Sequence, residues 1–125
     1  MEELGKIYHD GELVVRQGEK GNCMYVIQSG KVEVFREEGE RQIPLRMASK
    51  GEFFGEMALV ERMERSASVR AVGEARILTV DKRTFMRRVH EDPSLAFRIM
   101  EGLAHEIRHL SKEVAELKAG ERNKE

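Results

Sequence analysis

Two hydrophobic periods follow one another along this chain, and together they restrict its fold more tightly than any single motif does. Up to about residue 80, apolar and polar residues alternate in short runs set off by glycines, the pattern of half-buried strands joined by turns. Beyond Asp81 the spacing becomes helical, and Leu103, Ile107, Leu110, Val114 and Leu117 recur at intervals of four and three,. The class this implies is mainly β with C-terminal helices. An antiparallel β-roll, of the double-stranded β-helix or jelly-roll kind, is expected over residues 6–80. Helices follow over 82–91 and 93–119, then a polar tail over 120–125.

Within the first part, Asp10-Gly11 separates Lys6–His9 from Leu13–Val15, and Ser29-Gly30 separates Cys23–Ile27 from Val32–Phe35. Both read as tight hairpins. Ile43–Met47, Ser66–Val72 and Ala75–Val80 supply further strands, for a total of seven or eight. Glu56–Glu61 breaks the alternation, and its Met57, Ala58 and Leu59 favour a short helix,. Asp81 is the expected N-cap of Lys82–Glu91, and Asp92-Pro93 the cap and first turn of the long helix,.

Composition excludes several classes of function. With 22 basic and 23 acidic residues in 125, the net charge is −1, and no basic tract suggests direct DNA binding. No apolar run is long enough to span a membrane, and Met1–Lys6 has neither the basic nor the apolar part of a leader,. The single cysteine, Cys23, cannot form an internal bridge, so a reducing, cytoplasmic setting is expected. It falls in a strand run and reads as a core or near-core residue, not a nucleophile. His9, His90, His105 and His109 show no metal-ligand pattern. His105 and His109, four apart, read as a solvated helix surface. No catalytic triad and no nucleoside-triphosphate loop is legible, so neither a catalytic residue nor a metal or other cofactor is expected.

The densest chemical signal lies between Phe54 and Ala71. Gly55 lets backbone approach an anion closely, and Glu56 beside it can accept hydrogen bonds from hydroxyls,. Nine residues after Glu56, Arg65 offers a planar guanidinium that can hold two phosphate oxygens, with the small residues Ser66 and Ala67 following,. Such a set suits a ligand with sugar hydroxyls and a single phosphate charge.

Phe54-Gly55-Glu56-Met57-Ala58-Leu59, followed by Arg65-Ser66-Ala67-Ser68-Val69, resembles the phosphate-binding cassette of the cyclic nucleotide-binding domain family. That family includes the sensor domain of the bacterial catabolite activator protein and the regulatory subunits of cAMP-dependent protein kinase. Arg16-Gln17-Gly18-Glu19, Val26-Ile27-Gln28-Ser29-Gly30-Lys31-Val32 and Gly51-Glu52-Phe53-Phe54 match as well, so the resemblance spans residues 8–117. It implies a single cyclic nucleotide-binding domain over 1–119. It further implies that Glu56 binds the ribose 2′-hydroxyl, Arg65 the cyclic phosphate, and the amides of Ser66 and Ala67 the phosphate oxygens. Phe54, Gly55, Met57 and Ala58 would line the same wall. Leu110 and Ser111 correspond to the positions that meet the base. Leu110 departs from the activator's threonine there and cannot hydrogen-bond the base edge, which leaves base discrimination weaker or to Ser111 across a dimer. What the resemblance implies as ligand is cAMP, with cGMP left open.

The helical stripe has two uses. Its β-branched residues at one seam position and leucines at the other suit a parallel two-stranded coiled coil, with Glu113 and Lys118 flanking it. Packing of the stripe on the roll is the alternative. The combined expectation is a stand-alone, homodimeric cyclic nucleotide sensor that signals to an unidentified protein partner. The alternatives are a dimerisation module with an unresponsive pocket and a cGMP-selective binder.

Overall fold

The computed structural model describes residues 4–61 and 63–123, and Arg62 of the loop before Arg65 lies outside them. In chain order the elements are β1 (Lys6–Tyr8), β2 (Leu13–Val15), β3 (Cys23–Glu38), β4 (Arg41–Ser49), β5 (Phe53–Phe54), α1 (Met57–Val60), β6 (Ser68–Asp81), α2 (Lys82–Glu91) and α3 (Ser94–Asn123). The chain divides into two compact units, one ending at Phe85 and the other beginning at Met86.

The frame of the first unit is the antiparallel pairing of β3 with β6, from Cys23 opposite Asp81 to Phe35 opposite Ser68. All pairings are antiparallel. β1 and β2 lie along β6, while β4 and β5 lie along β3. Burial along β3 does not keep one parity: Met24 is buried, then Ile27, then Val32 and Val34, then Phe35. Irregularities in the pairing at 27/29 and 29/31 carry the change from Ile27 to Val32 within the core cluster, because an extra residue turns the following side chains to the other face. Met24 and Phe35 are buried outside that cluster. Ile27, Val32, Ala71, Ala75 and Ile77 are almost wholly buried and form the centre of the core with Tyr8, Val15, Ala48, Phe54 and Val69.

Two expected hairpins are corrected here. Ser29-Gly30 does not reverse the chain; it is a kink inside β3, and the two runs that it separates form one strand. A tight two-residue reversal of the common kind needs positive φ at both central residues or a glycine at the first. Only Gly30 has it, at +79°. The runs 66–72 and 75–80 likewise merge into one strand, β6, which starts at Ser68 and leaves Ser66 and Ala67 in the loop before it. At Asp10-Gly11 the chain does turn, with the Glu12 N–H donating to His9 O at 2.9 Å. Yet β1 and β2 each pair with β6, not with one another. The turn is fastened there as well, since Gly11 N–H donates to Ala71 O (2.8 Å) and Gly73 N–H to Asp10 Oδ1 (2.7 Å). Six strands are therefore found among the described residues, not seven or eight.

The helices start where their caps predict. Asp81 Oδ1 accepts from Thr84 N–H at 2.7 Å ahead of α2, and Asp92 Oδ1 accepts from Ser94 N–H at 3.1 Å ahead of α3. The Ser94 bonds hold the Asp92 carboxyl below the usual carboxylate range. α3 begins at Ser94 and continues to Asn123, four residues beyond 119 and into the expected tail. One glycine, Gly120, costs a formed helix only about 1 kcal/mol, too little to end it. Residues 124 and 125 lie outside the described residues.

Candidate functional site

The link from β5 to β6 builds the site. β5 pairs with β3, placing Phe54 opposite Tyr25, and their rings stack at 5.1 Å between centroids. Gly55 follows with φ +76°, a left-handed turn that a side chain disfavours. A Cβ there would also lie 2.7 Å from Arg65 Nη1. The turn delivers the chain into α1, where Glu56 is the N-cap residue, half-buried, with a side chain that makes no capping bond. Met57 is exposed and Ala58 buried, its N–H donating to Gly55 O at 3.2 Å.

Arg65 is held by both backbone and side chain. Its N–H donates to Glu19 O (2.8 Å), and its carbonyl accepts from Gly18 N–H (2.9 Å). From this anchor the side chain reaches back: Nη1 donates to Gly55 O at 3.2 Å and Nη2 to Cys23 O at 2.8 Å. The guanidinium carbon lies 5.6 Å from the centre of the Tyr25 ring. Nη2 also donates to Cys23 Sγ at 3.8 Å. Three acceptors do not exhaust the five N–H donors of a guanidinium, which leaves capacity for an anion. Burial pushes the Tyr25 phenol well above the usual tyrosine range, so the ring beneath the cation stays neutral. The Cys23 thiol donates to its oxygen at 3.5 Å.

After Arg65 the chain is rooted in the core. Ser66 is exposed, its carbonyl accepting from Arg36 Nη1 at 3.5 Å. Ala67 packs against the core, and Ser68 is fully buried, its Oγ accepting from Gln17 N–H at 2.9 Å. The amides of Ser66 and Ala67 thus belong to a loop fixed at both ends.

The structure brings Phe54, Gly55, Glu56, Met57 and Ala58 onto one link, with Arg65 tied to Gly55 and Ser66 and Ala67 adjoining it. Leu110 and Ser111 lie on α3 in the second unit, both exposed. His105 and His109 are exposed there too, and His109 Nε2 pairs with Glu113 at 3.1 Å along the same helix. Sequence reasoning missed the parts of the site that hold Arg65: Gly21, the Cys23 carbonyl and the Tyr25 ring. The available signal was strand alternation, which puts Cys23 and Tyr25 on one face of the strand that Gly21 leads into. Cys23 itself is half-buried. Among the described residues no group of three His, Cys, Asp or Glu side chains could hold a metal ion. None of their helices is long and apolar enough to cross a membrane.

Comparison with known proteins gives this geometry a context. The family model described as the cyclic nucleotide-binding domain matches residues 6–92. The chain is 32% identical over 110 residues to the cyclic AMP receptor protein of Thermus thermophilus, covering 87% of this chain and 51% of that protein. It is 38% identical over 80 residues to the cAMP-dependent protein kinase regulatory subunit of Mucor circinelloides, covering 64% of this chain and 19% of that one. The chain thus spans about half or less of the length of these relatives. Among solved structures, the catabolite activator protein of Thermus thermophilus superposes with a TM-score of 0.80 at 32% identity, over 90% of this chain and 54% of that one. The EAL enzyme Bd1971 matches in its cAMP-bound form with a TM-score of 0.63 at 31% identity, over 88% and 30% of the two chains. Its cGMP-bound form matches with a TM-score of 0.65 at 31% identity, over 87% and 29%.

Proposed function

Because the chain belongs to the cyclic nucleotide-binding domain family, we propose that it is a sensor for a cyclic nucleotide, with cAMP the favoured ligand, and that it acts as a dimer joined through α3. The observation that carries this is Arg65, a guanidinium fixed beside the Gly55 turn with donors to spare. A cyclic phosphodiester has one negative charge, and one fixed arginine answers it. In this reading the amides of Ser66 and Ala67 complete the phosphate contacts and Glu56 accepts from the ribose 2′-hydroxyl. Phe54, Gly55, Met57 and Ala58 form the wall. Leu110 would stack on the purine, and Ser111 would supply a hydrogen bond to its edge across the dimer.

Support for cAMP comes from relatives named for it, the receptor protein and the kinase regulatory subunit. Bd1971, solved with cAMP and with cGMP, makes cGMP the competitor to test. The module itself performs no catalysis and makes no direct DNA contact. It works in the cytoplasm, transmitting ligand occupancy to a protein partner or to a further part of a longer chain. Dimerisation rests on Ile107, Leu110, Val114 and Leu117, which are 64%, 50%, 49% and 70% exposed, with Leu103 completing the seam.

A melting-temperature series with cAMP, cGMP and adenosine monophosphate tests the reading. Ligand at a hundred times its dissociation constant stabilises by about 2.7 kcal/mol, so the cyclic nucleotides, cAMP foremost, should raise the melting temperature and the linear nucleotide should not. No change with either cyclic nucleotide at millimolar concentration would leave a dimerisation module with an unresponsive pocket. A larger effect of cGMP would reverse the preference.

A further inference from the structure

We propose that Gly21 and Tyr25 are positioning residues that seat the guanidinium of Arg65 before any ligand arrives; this rests on the reading of Arg65 as the phosphate-binding residue. The guanidinium lies over Gly21, and a Cβ built there would overlap its Nε, Cζ and Nη2 atoms. A left-handed turn does not explain this glycine, because its φ is outside that region, unlike that of Gly18 at +89°. A side chain at Gly18, by contrast, would meet nothing within 4 Å. What the missing side chain at Gly21 provides is room for Arg65.

Tyr25 supplies the other wall. Its ring is fixed by pairing and stacking with Phe54, and it presents a neutral aromatic surface 5.6 Å from the cation. Two hydrogen bonds, from Nη1 to Gly55 O and from Nη2 to Cys23 O, then set the rotation of the fork. A side chain ordered in advance has less freedom to lose when it takes hold of a phosphate. Losing a cation–π contact of this kind should weaken binding by about three- to tenfold.

The test compares wild type with Gly21→Ala, Tyr25→Leu and Tyr25→Phe. It measures cAMP and cGMP affinity by calorimetry and, without ligand, the Arg65 Nε–H resonance in a 15N-labelled sample. In wild type that resonance should stand apart from those of solvated arginines. Gly21→Ala and Tyr25→Leu should both move it toward the solvated position and weaken binding by about three- to tenfold. Tyr25→Phe, which keeps the ring, should preserve both signals. Tyr25 packs on the core, so if Tyr25→Leu fails to fold, Gly21→Ala decides alone; its added methyl first meets the movable end of Arg65. Wild type that binds, with Gly21→Ala unchanged in resonance and affinity, overturns the seat alone. Wild type that binds neither nucleotide overturns the functional reading and this role with it.

Discussion

Arg65 joins three separate stretches of chain, because its backbone is bound to Gly18 and Glu19 while its side chain reaches the carbonyls of Cys23 and Gly55. Replacing it therefore removes more than a charge. The Gly55 carbonyl keeps the Ala58 N–H as a donor, whereas the Cys23 carbonyl loses the shorter of the two side-chain bonds. Arg65→Leu should abolish cyclic nucleotide binding and also lower the stability of the ligand-free protein by about 1–2 kcal/mol. Urea unfolding without ligand measures the second effect, and an unchanged midpoint would mean that water replaces the arginine at no cost. Sequence presents Arg65 as a charge followed by small residues; its ties lie ten and 42 positions away, beyond what local pattern reveals. Burial raises both phenols, Tyr8 and Tyr25, so folding favours their neutral forms. The stability this contributes is intact below the ordinary tyrosine pKa of about 10 and declines as pH rises through the raised values. Absorbance of tyrosinate should accordingly lag behind that of a free phenol through pH 10 to 11. Half-ionisation at pH 10 with circular dichroism unchanged would show that the rings are solvated.

At the scale of elements, what was legible in the sequence divides according to range. α2 and α3 start where Asp81 and Asp92 say they should, because a cap acts over two or three residues,. The short α1 appears where Met57, Ala58 and Leu59 favour it. Strand partners are set by contacts across the whole first unit, and there local turn chemistry misled. Gly30 shows why. It resembles a hairpin residue, yet its backbone passes so close to β6 that an added Cβ would strike the Glu74 carbonyl oxygen, with Ala75 Cα at 2.8 Å. Gly30→Ala should therefore cost about 3 kcal/mol, combining left-handed strain with overlap against backbone that cannot move away. Gly39, with φ +64° and open space around its Cβ position, isolates the first term. Gly39→Ala should cost about 1–2 kcal/mol. Chemical denaturation of the pair measures the difference, and equal losses would mean that conformation alone explains both glycines. Arg70 strengthens the same frame, binding Glu33 through Nε at 3.0 Å and Gln42 through Nη1 at 2.9 Å, so that β6, β3 and β4 are linked by one side chain.

For the whole molecule, the question is what the second unit adds to the first. α3 is 30 residues long, or about 45 Å at 1.5 Å per residue, and its apolar stripe of Ile107, Leu110, Val114 and Leu117 is exposed among charged neighbours. A helix with such a stripe is stabilised by covering it, and a second copy offers the matching seam. Two to three heptads make a weak coiled coil, so association should depend on concentration. In the proposed dimer Leu110 would serve both the seam and the base contact, and a single substitution there could not separate the two roles. Leu117, one heptad further along, would serve the proposed seam alone. Sedimentation should find Leu110→Glu and Leu117→Glu monomeric at concentrations where wild type dimerises, because each sets two carboxylates facing one another across the seam. A dimer that persists in both would place the contact elsewhere. Calorimetry then separates the roles. A change in the cAMP-to-cGMP affinity ratio confined to Leu110→Glu assigns that leucine to the base, whereas an equal change in both variants makes dimerisation itself the step that completes the base pocket.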